Sequence, residues 1–201
     1  MIHPNTKIQH INDQIGYGVF ATEFIPKGTI TYVKDSLELE ISQADFSKHS
    51  PEMQEQIEKY SYIDEKGNRI VSWDFAKYVN HCCDCNTMST GYGFEIAIRD
   101  IQIGEQITDE YGMFNMTDQM FLECSRPNCR GMVGHTDLDK YYEEWDRKVQ
   151  PALMAYAHVD QPLSCFLDNQ TLEELQGLFL DQKNYKSVLH LKFRQLNGVT
   201  I

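Results

Sequence analysis

From about Gly16 to Tyr111 the chain is a succession of short β-prone runs broken by turn residues. Gly18-Val-Phe-Ala21, Thr29-Ile-Thr-Tyr-Val33, Arg69-Ile-Val-Ser-Trp73 and Phe94-Glu-Ile-Ala-Ile98 each read as a strand. Pro26-Lys-Gly28 and Gly104-Glu105 are turn signals, and Glu65-Lys-Gly67-Asn68 marks a hairpin tip. One helix interrupts this pattern: Ser50-Pro51-Glu52 supplies a start, and Met53, Ile57 and Tyr60 recur at helical spacing.

After Cys129-Arg-Gly131 the texture changes. Leu138, Tyr141, Tyr142, Trp145, Val149 and Leu153 fall three and four apart, which predicts an amphipathic helix from Asp137 to Ala157, interrupted near Pro151. A second helix is expected from Thr171 to about Leu180, opened by a Thr171-x-x-Glu174 capping box. Asn184 to Phe193 reads as a short helical turn or strand. At 201 residues there is room for one substantial core, or a β-rich core carrying a small helical appendage.

The formal charge of −12 argues against nucleic acid as direct partner and favours a basic one. The N-terminal stretch has no basic patch followed by an apolar run, and no later stretch approaches a membrane span. The expectation is a soluble, intracellular protein. Six cysteines cluster as Cys82, Cys83, Cys85 and as Cys124, Cys129, with Cys165 apart, a spacing that favours metal over a disulfide framework.

Four stretches carry chemical interest. Gly16-Tyr-Gly18-Val-Phe-Ala21 pairs glycines that let a backbone approach a ligand, yet it lacks the third glycine of a dinucleotide fingerprint. Lys77-Tyr-Val-Asn80-His81-Cys82-Cys83-Asp84-Cys85-Asn86 sets an Asn-His pair beside three cysteines. Gly104-Glu-Gln-Ile-Thr-Asp-Glu-Tyr111-Gly112 is a turn and short strand ending in a tyrosine, and Cys124-x4-Cys129-Arg-Gly131 closes the series.

In this order the four resemble the SET-domain lysine methyltransferases: the opening GxG segment, the RFxNHSCxPN motif, the GEELTYDYG-like segment and a post-SET CxCxxxxCRG tail. The resemblance spans roughly residues 14 to 132. It implies a mainly β fold with α: small β-sheets around a pseudoknot-like threaded crossing that sets Asn80-His81 beside Tyr111, plus a C-terminal helical extension. The implied divisions are a SET domain at 1–112, a post-SET-like segment at 113–135 and the extension at 136–201.

The resemblance further implies a protein-lysine N-methyltransferase using S-adenosylmethionine. Gly16, Tyr17, Gly18, Asn80, His81 and Tyr111 would bind the cofactor, Tyr111 would be the catalytic tyrosine, and Tyr60 or Tyr62 would line the lysine channel. The implied substrate is a lysine-rich basic protein such as a histone or ribosomal protein, with no membrane partner. A structural Zn2+ would take Cys83, Cys124 and Cys129, with Cys85 as fourth ligand in place of the tail cysteine that Leu122 replaces; Cys82 competes, since Cys82-x-x-Cys85 is itself a zinc spacing. Two further departures are Lys77-Tyr78 for the family's Arg-Phe, and Asp109 for the aromatic residue before the catalytic tyrosine. The rival expectation is a non-catalytic, zinc-stabilised SET-like adaptor for a basic protein.

Overall fold

The computed structural model describes residues 1–122 and 126–194. In chain order it runs β1 (Thr6–Asn12), β2 (Gly16–Ala21), β3 (Ile30–Val33), β4 (Leu39–Ile41), α1 (Gln43–Phe46), α2 (Pro51–Tyr60), β5 (Ser61–Ile63) and β6 (Arg69–Val71). It continues with β7 (Asn80–His81), β8 (Thr87–Ser89), β9 (Phe94–Ala97), β10 (Gln106–Asp109), β11 (Met120–Phe121), β12 (Met132–Val133), α3 (Asp137–Ala155) and α4 (Asn169–Leu180). The strands form small sheets ordered β1-β2-β10-β7, β3-β9-β8, β4-β6-β5 and β11-β12.

Local chemistry explains the elements that frame the cavity described below. Asp64 Oδ1 accepts from the backbone N–H groups of Lys66 (3.0 Å) and Asn68 (2.8 Å), and Gly67 takes φ +83°, so β5 turns back onto β6. Ser50 caps α2 by accepting from Met53 N, with Pro51 in the first turn, where its missing N–H costs nothing. Ile57 is then the residue of α2 that turns into the core.

The C-terminal helices complete the core of the strand region. Ile30, Phe94 and Ile96 from the β3-β9-β8 sheet pack with Trp145, Val149 and Leu153 of α3 and with Leu175 and Leu178 of α4. A second cluster, Val19, Ala21, Ile25, Ile101 and Ile107, sits under the four-stranded sheet. Two helix expectations need correction. α3 continues through Pro151, because Val149, Ala152 and Leu153 on either side are fully buried and tertiary packing outweighs one lost hydrogen bond. α4 begins earlier than Thr171; its cap is Asp168, whose carboxylate accepts from Thr171 N at 2.7 Å. The segment after α4 forms short 3-10 turns at Gln182–Asn184 and Val188–Leu191. Among the described residues no helix is long and apolar enough to cross a membrane.

Gly91 shows how closely this last segment docks. A Cβ there would lie 2.5 Å from the Lys186 carbonyl oxygen and 2.6 Å from that of Ser187. Backbone atoms cannot swing aside as a side-chain tip can. Gly91→Ala should therefore lower stability by about 1–3 kcal/mol in a denaturant titration, the usual range for overpacking; an unchanged midpoint would mean that the segment does not bear on the core.

Candidate active site

The site is assembled by one unusual pairing. β10 runs antiparallel to β2, with Ile107 opposite Val19, and parallel to β7, with Thr108 opposite Asn80 and Asp109 opposite His81. Asn86 locks that arrangement. Its amide donates to the Gln106 carbonyl (2.8 Å) and its Oδ1 accepts from Thr108 N (2.9 Å), leaving it 1% exposed. The second asparagine of the Asn-His stretch is thus a clamp on β10.

Gly16, Tyr17 and Gly18 open β2 at the same edge. Asn80 Nδ2 donates to the Tyr17 carbonyl at 2.9 Å. A Cβ on Gly18 would fall 2.7 Å from Gln106 Nε2 and 3.1 Å from Asn80 Nδ2, so only glycine lets these strands lie so close. Gly16 takes φ +81° and has no atom within 4 Å of where its Cβ would stand, which leaves open space above it.

His81 Nδ1 accepts from Tyr111 N at 3.2 Å, and its Nε2 lies 3.3 Å from Cys83 Sγ. The contact at Nδ1 requires that nitrogen to be unprotonated. Burial, with the Arg130 guanidinium nearby, pushes His81 down to about 4, so the ring is neutral at physiological pH. The Tyr111 hydroxyl donates to the Val79 carbonyl at 2.6 Å. Burial and the neighbouring Asp109 and Glu95 carboxyls raise its pKa, which keeps it a phenol rather than a phenolate.

Tyr111 faces a cavity of about 440 Å³ between the α2–β5 corner and residues 114–120. Tyr60, Tyr62, Val79 and Phe114 line it, and Tyr60 and Tyr62 stand there together, although sequence reasoning left the choice between them open. Tyr62 lies against Phe114 (ring centroids 5.4 Å apart) and Tyr60 meets Tyr78 edge-on at 5.6 Å. Asp109 and Glu95 also line the cavity. Asp109 is 1% exposed; burial raises both carboxyls above the usual carboxylate range, and the Glu95 charge raises Asp109 as well.

Of the expected zinc ligands, Cys85 is turned into the core. Cys85 is 3% exposed and Cys82 8%, both within the apolar core, and burial raises the Cys85 thiol well above its usual pKa. Residues 83 and 84 form a turn, and Cys83 faces the tail there, its sulfur accepting from Arg130 N at 3.4 Å near Cys129. Cys124 lies outside the described residues. Among the described residues no group of three or more His, Cys, Asp or Glu side chains is placed to hold a metal ion.

What fastens the tail is an ion pair that the sequence did not single out. Arg130 grips Glu110 through two hydrogen bonds, Nη1 to Oε2 at 2.9 Å and Nη2 to Oε1 at 2.6 Å, and its guanidinium lies over the rings of Tyr141 (4.9 Å) and Trp145 (5.7 Å). Glu110 is fully buried and also accepts from Gly112 N at 2.9 Å, shaping the turn that presents Tyr111.

Comparisons with known proteins place this geometry. The SET domain family model matches residues 16–112. A variant-silencing SET domain-containing protein of Plasmodium falciparum (isolate 3D7) is 30% identical over 135 residues, which is 58% of this chain and 5% of that protein. This chain therefore spans a small part of that relative's length. Among solved structures it is similar to a candidate histone methyltransferase of Plasmodium falciparum, at 20% identity and a TM-score of 0.40, over 55% of this chain and 95% of that one. SET domains are typically S-adenosylmethionine-dependent lysine methyltransferases. The matched span begins at the glycine pair and ends on the Tyr111-Gly112 turn that β7 and β10 hold in place, so residues 16–112 of this chain carry a SET domain.

Proposed function

We propose that this chain transfers a methyl group from S-adenosylmethionine to a lysine side chain of a basic protein. The observation that carries the reading is the position of Tyr111, which stands between the open glycine edge of β2 and the aromatic-walled cavity. The residues at that edge suit the cofactor. Gly16 leaves clear space for a ligand, Tyr17 is half exposed, and Asn80 and His81 bring amide and ring groups to the same place. The cofactor supplies a methyl group already activated on a sulfonium. Gly16, Tyr17, Gly18, Asn80 and His81 would hold it, with Tyr111 beside them.

The chain's own part is to deliver a neutral amine in line. Lysine in water has a pKa of about 10.4, and Tyr60, Tyr62 and Phe114 strip water from it, which favours the uncharged form. The Tyr111 hydroxyl and the Val79 carbonyl orient the amine. The overall charge of −12 favours a lysine-rich segment such as a histone tail.

Calorimetry with S-adenosylmethionine separates the enzyme from a non-catalytic adaptor. The wild-type chain should bind one equivalent, and Asn80→Ala should weaken binding roughly tenfold, about 1.4 kcal/mol. Absence of binding to the wild-type chain would leave the adaptor as the better reading.

A further inference from the structure

The family places an aromatic side chain where this protein has Asp109, and the surroundings of that carboxyl are specific. Its Oδ1 accepts from Glu110 N at 2.7 Å, and its side chain shares a hydrogen bond with that of Glu95. Glu95, from β9 in a different sheet, brings a second carboxyl against it, and both line the cavity that Tyr111 faces. Two touching carboxyls away from water hold one negative charge between them, because a second would be repelled and desolvated.

The other groups around the pair are engaged elsewhere. Tyr32 donates to Glu38 at 2.9 Å, and Ser72 donates to Tyr32 at 3.2 Å, so these hydroxyls are engaged with each other and with Glu38; Tyr62 adjoins Tyr32. Glu38 in turn binds the Met1 amine at 3.4 Å, which Asp35 also holds. Glu110, the next acid along, is taken by Arg130, and Tyr111 by Val79. Arg69 pairs with Glu58, while Lys59 and Lys77 line the cavity with Asp118.

We propose that the Asp109–Glu95 pair accepts the proton of the substrate's lysine ammonium, an inference that rests on the methyl-transfer reading above. One N–H bond of the ammonium breaks and its electron pair stays on nitrogen as the lone pair that attacks the methyl carbon. The proton forms an O–H bond on the pair's free carboxylate, which passes from one shared proton to two. The methylated nitrogen emerges as an ammonium, and the pair returns the extra proton to water as product leaves, so each turnover releases one proton.

Burial pushes Glu95 up to about 7, and burial together with Glu95 beside it raises Asp109 well above the usual carboxylate range. The sign follows. Below about pH 7 the pair is fully protonated and accepts nothing; above it, one carboxylate is free, near the pH where a general base works best.

The test is single-turnover methyl transfer to a lysine-rich peptide, with saturating S-adenosylmethionine, for the wild-type chain, Asp109→Asn, Glu95→Gln and the double variant. The wild-type rate should climb through about pH 7 and then level. Asp109→Asn should be about 100-fold slower near neutrality, with cofactor affinity unchanged, and should recover as pH nears lysine's own pKa of about 10.4. Glu95→Gln should show the same altered profile, and the double variant little further loss, since the two act as a unit. Should Asp109→Asn not fold, the profile of Glu95→Gln decides. Variants with the wild-type rate and profile overturn this inference and leave the methyl-transfer reading standing; a wild-type chain that transfers no methyl group overturns both.

Discussion

Replacing Arg130 with Met should cost about 3–5 kcal/mol of stability, the range for breaking a buried ion pair from one side. A natural domain has only about 5–15 kcal/mol in total. The Glu110 carboxylate is fully buried, and its partners are the two guanidinium nitrogens and the Gly112 N–H. Met restores much of the apolar contact with Tyr141 and Trp145 but supplies no charge. Burial already raises the Glu110 pKa, and Arg130 is the main force pulling it back. Without Arg130 the folded-state pKa rises further above the unfolded one. A carboxyl of that kind favours the fold when protonated and loses that contribution as pH rises through its folded pKa. The penalty of Arg130→Met should therefore be smaller at about pH 5 than at about pH 8. Denaturant titrations at both values check this. A loss under about 1 kcal/mol, equal at both, would class the pair with ordinary surface ion pairs.

Much of the site was legible in the sequence because its parts are local motifs in a fixed order. Asn80-His81, Tyr111 and the glycine pair each occupy one short stretch, and their order implied the crossing that β7 and β10 make. What was missed depends on contacts between distant stretches or on side-chain direction. Glu95 lies alone in a strand, where a single acid reads as a solvent-facing position; its partner Asp109 is on β10 of another sheet. Arg130 stood in a quoted motif, but Glu110, twenty positions away, gives no sign in spacing that it is the partner. Cys85 was assigned to the tail by proximity to Cys83, and proximity carries no information on which neighbour faces inward. β1 went unread because Thr6–Asn12 shows little apolar alternation and leaves Ile8 largely exposed.

Tyr111→Phe should lower turnover by about 100- to 1,000-fold, the range seen when one preorganised hydrogen-bond donor is removed from a reaction centre. The ring's packing survives the change, since Phe retains the contacts with His81 (5.5 Å) and Phe114 (5.6 Å). What disappears is the hydroxyl held by the Val79 carbonyl. The loss should fall on kcat with cofactor affinity nearly intact, because an oriented hydroxyl acts on transition-state geometry more than on ground-state binding. A rise in the cofactor's dissociation constant with kcat unchanged would move Tyr111 from chemistry to binding.

The central claim is that this SET domain methylates lysine. It is tested most directly by incubating the wild-type chain with isotopically labelled S-adenosylmethionine and histone-tail peptides, then reading the products by mass spectrometry. The account predicts label on a lysine side chain, absent when that lysine is replaced by arginine and sharply reduced with Tyr111→Phe. Label on no residue, from a folded chain shown to bind the cofactor, would contradict it.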